Sequence, residues 1–159
     1  NLIKRLFSDL KVKKMPVIEQ KVYGFFTPDG SSIKNGIFPR IRIDNGISTL
    51  TVKLKKHSKS NYFEREEYTI KIDSFNNGSR ILKALGYTHC EYFSKTRIPF
   101  FYKKGAELCL DFVPGLGHFL EIEASKKEIE KIIKLLKLEK EKRVTKSYLG
   151  LIEEKKKEA

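Results

Sequence analysis

The sequence is short of cysteine, of long apolar runs and of acidic residues, and each shortage excludes something. Two cysteines in 159 residues, Cys90 and Cys109, cannot build a disulfide scaffold, so a reducing, cytoplasmic setting is expected. They stand at no zinc-ligand spacing from His57, His89 or His118, and the adjacent pair His89-Cys90 is poor ligand geometry. No apolar run approaches the roughly twenty residues of a membrane-spanning helix, so no membrane partner is expected. Acidic residues number 20 against 33 lysines and arginines, a formal net charge of +13. Residues 125–159 hold 12 basic and 7 acidic groups, or +5, which leaves +8 for residues 1–124. A solvated lysine-rich tail therefore explains only part of the excess. The remainder implies a polyanionic partner: nucleic acid, nucleotide or polyphosphate.

What is present reads as one folded domain over residues 1–159, with no internal repeat and no interdomain linker. Leu2, Ile3, Leu6, Phe7 and Leu10 predict a short amphipathic helix ahead of the basic stretch Lys11–Lys14. Extended chain is expected over 17–26, then a turn at Thr27-Pro28-Asp29-Gly30. Segments 38–44 and 48–56 form a hairpin candidate across Asn45-Gly46. Further strands are expected over 64–72, 91–98, 100–102, 106–113 and 118–124, with a helix over 79–85 that stops at Gly86. Ser125-Lys126-Lys127-Glu128 is a capping box, followed by Ile129, Ile132, Ile133 and Leu136 at helical spacing. A last helix is expected from about Thr145, with Tyr148, Leu149 and Ile152 inward and Lys155–Lys157 frayed into solvent. The run Lys137–Arg143 reads as a solvated helix end, with contact to a phosphate backbone as a lesser alternative. Most of the 11 Phe and 7 Tyr alternate with charged residues and so read as core rather than as base-stacking groups.

Alternation along the strands carries the functional information, because side chains two residues apart share a face. Arg40 and Arg42 form one such pair, Lys53 and Lys55 a second, Lys95 and Arg97 a third, and Glu121 and Glu123 a fourth. Glu67, Thr69 and Lys71 face away from Tyr68, Ile70 and Ile72. An antiparallel sheet with one wet face accounts for each strand singly. A wet face, however, usually mixes signs, since like charges crowded together repel. A barrel with a polar interior accounts for the set: cationic pairs grip a polyanion, and a carboxylate pair offers oxygen ligands to a divalent cation. Pro114-Gly115-Leu116-Gly117 has no capped helix after it and reads as a tight strand connection, not a phosphate-cradling loop.

The segment Leu110-Asp111-Phe112-Val113-Pro114-Gly115-Leu116-Gly117-His118-Phe119-Leu120-Glu121-Ile122-Glu123 resembles the LD-x-V-x-G-L-G-x-F-x-E-I-E signature of CYTH domains. These form the superfamily of triphosphate tunnel metalloenzymes, with class IV adenylyl cyclases and thiamine triphosphatases among them. Other pieces follow in family order: Tyr23 with Thr27-Pro28-Asp29, Arg40-Ile41-Arg42, Leu50-Thr51-Val52-Lys53, Arg65-Glu66-Glu67, Leu85-Gly86-Tyr87, Lys95-Thr96-Arg97 and Ser147-Tyr148-Leu149.

The resemblance implies an α+β fold, an antiparallel eight-stranded β-barrel forming a triphosphate tunnel with helices packed outside. It implies that Arg40, Arg42, Lys53, Lys95 and Arg97 bind triphosphate oxygens, with Lys55 added by strand parity. Glu121 and Glu123 would ligate Mg²⁺ or Mn²⁺, with Glu67 nearby. Asp111 would position water or an attacking hydroxyl, and Lys53 would act at the reacting phosphate. The substrate is then a nucleoside triphosphate, thiamine triphosphate or inorganic triphosphate. The activity is cyclisation of ATP to cAMP and pyrophosphate, or phosphoanhydride hydrolysis. A homodimer is a further expectation. Three departures accompany the match. The family's E-x-E-x-K motif has no counterpart, so the first strand is expected to be missing from this chain. Thr69 and Lys71 stand where relatives place carboxylates, and His118 sits beside the E-x-E strand, as a turn residue or as a group titrating near neutrality. A second reading is therefore a non-catalytic polyphosphate- or nucleotide-binding module that lacks the E-x-E-x-K metal motif. RNA binding by an external basic surface is a third.

Overall fold

The period-two patterning becomes eight strands and four helices in a computed structural model, which describes residues 8–55, 65–103 and 105–158. The strands are β1 (Lys13–Lys14), β2 (Ile18–Phe26), β3 (Ile37–Asp44), β4 (Ile47–Lys55), β5 (Arg65–Lys71), β6 (His89–Lys103), β7 (Ala106–Val113) and β8 (Gly117–Glu123). The helices are α1 (Ser31–Lys34), α2 (Phe75–Ala84), α3 (Lys126–Leu135) and α4 (Tyr148–Glu158). The sheet order is β5-β4-β3-β2-β6-β7-β8, with β1 on β6, and the ladders run antiparallel. The fold is α+β, as expected. The antiparallel eight-stranded sheet expected of the fold is present, its strand path running from β5 to β8. No described helix is long and apolar enough to cross a membrane.

The chain divides into two compact units, one of 96–145 with the chain up to Ile18, the other of 19–95 with the chain from Lys146. In the second, the row Tyr23, Ile41, Leu50 runs across β2, β3 and β4. Its apolar face packs on α2 through Phe25, Ile41 and Leu82. Asn45 and Gly46 both take positive φ, at 46° and 90°, which is the paired left-handed geometry a two-residue hairpin needs. Helix α2 begins one turn before the expected 79–85. Ser74 caps it by accepting from the Asn77 amide at 3.2 Å, so Asn76-Asn77-Gly78 is first-turn helix and not the loop its composition suggests.

In the other unit, Leu10, Val12, Phe100, Leu108, Ile132 and Leu136 form the core. Ser125 caps α3 as its capping box predicts, accepting from the Glu128 amide at 3.4 Å. The expected opening helix lies largely outside the described residues, as does His57. Strand β6 runs unbroken where two segments were expected. Pro99 sits inside it because its carbonyl accepts from the Met15 amide at 2.9 Å. In a strand, N and O of one residue point the same way, so the missing Pro99 donor faces the short β1 side and leaves the β7 ladder whole.

Helix α4 continues through Lys155–Lys157, which were expected to fray. Lys146 pairs with Glu154 along it, and Lys156 Nζ lies 3.7 Å from Glu91 on β6. Its contact with β2 depends on Gly24: a Cβ there would lie 2.6 Å from Leu149 Cδ1. Gly24→Val is therefore expected to lower unfolding free energy by about 1–3 kcal/mol through overpacking. Urea denaturation checks this, and adding Leu149→Ala should restore part of the loss. A Gly24→Val protein as stable as the parent would show that α4 does not pack on β2.

Candidate functional site

Register decides which charges meet. In the unit of 19–95, Arg40 stands opposite Thr51, and Thr51 opposite Thr69; Arg42 stands opposite Thr49, and Thr49 opposite Lys71. Phe38, Lys53 and Glu67 form the adjoining row. Arg40, Arg42, Lys53 and Lys71 thus share one sheet face with two carboxylates, Glu67 and Asp44. Glu67 bonds Lys53 Nζ and lies 3.8 Å from Arg40 Nη2. Asp44 pairs with Arg42 Nε at 2.8 Å and accepts from the buried amide of Gln20 at 2.9 Å. Between these pairs Thr51 is buried, with its hydroxyl 2.9 Å from that of Thr69. The result is a dense cationic face whose arginines and lysine are paired with Asp44 on β3 itself and with Glu67 on β5.

Lys55 ends β4 and is exposed, opposite Arg65. Lys95 is 7% exposed, and its Nζ lies 4.9 Å from the centre of the Tyr148 ring. That ring also packs edge-on against Phe93, at 5.8 Å. An aromatic face attracts a desolvated ammonium, so Tyr148 steadies Lys95 without neutralising it.

In the unit of 96–145, Arg97 and Asp111 face each other across β6 and β7. The guanidinium makes a two-bonded pair, Nε to Oδ1 and Nη2 to Oδ2, both at 2.8 Å, and Nη2 also bonds Glu121. Asp111 is 1% exposed. Burial alone would lower the Arg97 pKa, but the Asp111 hydrogen bonds and the charges of Glu121 and Asp111 outweigh it and raise the pKa. Cys109 lies opposite Glu121, and Glu107 lies opposite Glu123. Burial, with Glu107 adding to it against the opposing pull of Arg97, pushes the Cys109 thiol up to about 12.

The donor set on this face is carboxylate oxygen: Glu121, Glu123 and, across the ladder, Glu107. Among the described residues no group of three or more His, Cys, Asp or Glu could hold a metal ion by itself. Two hard oxygen donors suit an ion such as Mg²⁺, which takes one or two carboxylates and completes its shell from water and phosphate. They do not suit a cation caged wholly by protein.

The expected site residues therefore fall into two sets. Arg40, Arg42, Lys53 and Glu67 are together on one unit's face. Arg97, Asp111, Glu121 and Glu123 are together on a face of the other. Glu67, expected beside the metal carboxylates, has Lys53 and Arg40 as its neighbours. His118 is on the face opposite Glu121 and Glu123, where its ring packs on Phe112 at 4.9 Å. It is a strand residue of β8, not the turn residue expected from the sequence. Sequence reading did not single out Glu107, Asp44 and Gln20 for the site. Strand parity places Glu107 with Asp111, but only the register puts it opposite Glu123.

Two tests follow from this geometry. Asp111→Ala leaves Arg97 buried with one carboxylate fewer and is expected to cost about 3–5 kcal/mol. Glu121→Ala should cost less, because Glu121 is 38% exposed and Asp111 still holds the guanidinium. Urea midpoints of the two variants check the ranking. The second test uses Cys109, whose folded pKa lies above the ordinary value of 9.0. Below about pH 9 both states keep the proton, and above it the unfolded chain releases the proton first, so stability falls as pH rises from 9 toward 12. Cys109→Ala should flatten that part of the stability profile; an unchanged slope would remove Cys109 as its cause.

A family model described as the CYTH domain matches residues 4–149. The "Putative adenylate cyclase MJ0240" of Methanocaldococcus jannaschii is 34% identical over 122 residues, 70% of this chain and 69% of that protein. Among solved structures, the PH1819 protein of Pyrococcus horikoshii OT3 is 30% identical with a TM-score of 0.75, covering 97% of this chain and 93% of its own. The HpAC1 protein of Hippeastrum, described as revealing a dominant triphosphatase activity, is 18% identical with a TM-score of 0.66, covering 96% of this chain and 90% of its own. At that identity it speaks for the fold alone. With its signature segment, its ordered basic pairs and its sheet in agreement, this chain belongs to the CYTH domain family.

Proposed function

We propose that the chain, read as a single CYTH domain, is an enzyme that binds a triphosphate and cleaves it at a phosphoanhydride. One observation carries the reading: Arg40, Arg42 and Lys53 stand on one face of adjacent strands, where only a polyanion matches their number and spacing. The two arginines offer forked donors to phosphate oxygens, and Lys53 offers a compact charge to the oxygens that become more negative as the bond breaks. Substrate oxygens take over from Glu67 as the acceptor for Lys53. The family resemblance adds Lys95 and Arg97 of β6 to the phosphate-binding residues, and strand parity adds Lys55 at the end of β4. Asp111 acts through Arg97, which it keeps charged and oriented; a water or hydroxyl awaiting transfer would be positioned there. Glu121 and Glu123 are the carboxylates assigned to Mg²⁺ or Mn²⁺, with Glu67 a lesser candidate, and the ion supplies positive charge to the phosphate oxygens when bound.

Two reactions use this arrangement. In cyclisation the ribose 3′ oxygen attacks the α-phosphorus of ATP and pyrophosphate leaves. In hydrolysis a water oxygen attacks and a shorter phosphate leaves. The name carried by the M. jannaschii relative favours the first. A non-catalytic binding module is the second reading, favoured by Lys71 on the cationic face and by the lack of a self-sufficient metal cluster among the described residues.

The test offers tripolyphosphate, ATP and thiamine triphosphate with Mg²⁺ or Mn²⁺ and identifies the products chromatographically. The expected products are cAMP with pyrophosphate, or orthophosphate from one preferred substrate. Lys53→Ala and Arg40→Ala should each lower kcat/KM by on the order of 10²–10³. Tight binding that survives chelation, with no product from any substrate, would replace the enzyme with the binding module.

A further inference from the structure

The outward side of α3 carries a row of lysines that the triphosphate reading does not use. Ile132, Ile133 and Leu136 are buried on one side of this helix, with Ile132 and Leu136 in the core of the unit of 96–145. Lys127, Lys131 and Lys134 are exposed on the opposite side. Positions i, i+4 and i+7 of a helix fall within about 60° of one another, so these side chains spring from one line roughly 10 Å long. The basic stretch continues past the helix. Residues 126–143 hold 8 basic and 4 acidic groups, and Lys137, Lys140 and Lys142 are exposed.

Two acids flank the row, and each is engaged by another cation. Glu128 bonds Lys103 at 2.8 Å, and Lys131 acts on it through charge alone. Glu130 takes two bonds from Arg143, at 3.1 and 3.3 Å. Like charges at i, i+3 and i, i+4 weaken a helix, so the row does not serve folding. The Ser125 cap and the burial of Ile132 and Leu136 hold α3 in spite of it.

The kind of partner follows from what accompanies the lysines. A protein partner takes an apolar centre with aromatic anchors, whereas the large apolar side chain exposed on α3 is Leu135, at 38%. A membrane-surface helix lays its apolar face into lipid, and that of α3 is already spent on its own core. Single-strand binders stack bases on aromatic rings, and residues 126–143 contain none. A duplex backbone asks for neither: it presents one charge per ~1.7 Å of axis and is held by cations alone. We infer that the lysine row of α3 binds the phosphate backbone of a nucleic-acid duplex without choice of sequence. Lys127, Lys131 and Lys134 each meet a phosphate, and Lys137, Lys140 and Lys142 extend the contact. Such contacts position a duplex and read no bases. The inference uses none of the residues assigned to the triphosphate and stands apart from that reading.

Fluorescence anisotropy of the full chain with two short labelled duplexes of unrelated sequence tests this over a series of salt concentrations. The parent is compared with a triple variant, Lys127→Gln, Lys131→Gln and Lys134→Gln, and with the corresponding Lys→Arg triple variant. Glutamine and arginine are as helix-prone as lysine, and circular dichroism controls for folding. The parent should bind both duplexes alike, with affinity that falls steeply as salt rises. The glutamine variant should lower the slope of log affinity against log salt by about 3, one for each lost phosphate contact, and the arginine variant should keep it. Tripolyphosphate at matched ionic strength should not displace the duplex. An absence of duplex binding at low salt, or an unchanged slope in the glutamine variant, would overturn the inference. So would displacement by tripolyphosphate at matched ionic strength, which would give the duplex to the cationic sheet face. Binding to phosphatidylserine vesicles without binding to either duplex would make the row a membrane contact instead.

Discussion

Like charges held two residues apart on a strand face are the constraint on which the rest of this structure depends. Side chains of an R-x-R or K-x-K pair are carried to the same side by the pleat and cannot rotate away from each other as they would in a loop. Their repulsion has to be offset by acidic neighbours on the sheet. Glu67 does this for Lys53 and Arg40, Asp44 for Arg42, and Asp111 with Glu121 for Arg97. The protein thus carries internal counterions, and they differ in strength. Glu67 is 40% exposed and shares its charge between two cations, so phosphate oxygens can replace it at small cost. Asp111 is fully enclosed and bonded at both oxygens, so it stays with its arginine. One set is arranged for exchange and the other for permanence.

That difference was only half legible in the sequence. Strand faces were readable, because period-two alternation is a local property and Arg40, Arg42, Lys53, Glu121 and Glu123 each announce it within three residues. Caps were readable for the same reason at Ser125, and missed at Ser74, where Asn76-Asn77-Gly78 has turn composition and the cap still won. Register was not readable. It places Glu67 opposite Lys53 and Glu107 opposite Glu123, and it is fixed by turns and core packing across 14 or more residues of chain. The two-residue β1 and the four-residue α1 were missed because neither is long enough to show a period. Pro99 was read as an interruption, though its missing donor faces the side of β6 where only β1 pairs.

The same contrast separates family from activity. Fold and family follow from features that many residues vote on: the sheet, the basic pairs and the signature over Leu110–Glu123. Reaction type follows from very few. A cationic face that holds a triphosphate serves both cyclisation and hydrolysis, since each leaves new negative charge on phosphate oxygens. What differs is the attacking group. A ribose hydroxyl held against the α-phosphorus acts at an effective concentration far above that of any solute, but only while the nucleoside end is fixed. With that end loose, the hydroxyl loses this advantage and water, which needs no tether, is the attacking group that remains. The residues that grip the base therefore decide the chemistry at the phosphates, although none of them touches a reacting atom. A CYTH sheet that kept its arginines and lost its grip on the nucleoside would keep its affinity for triphosphate and be left with hydrolysis.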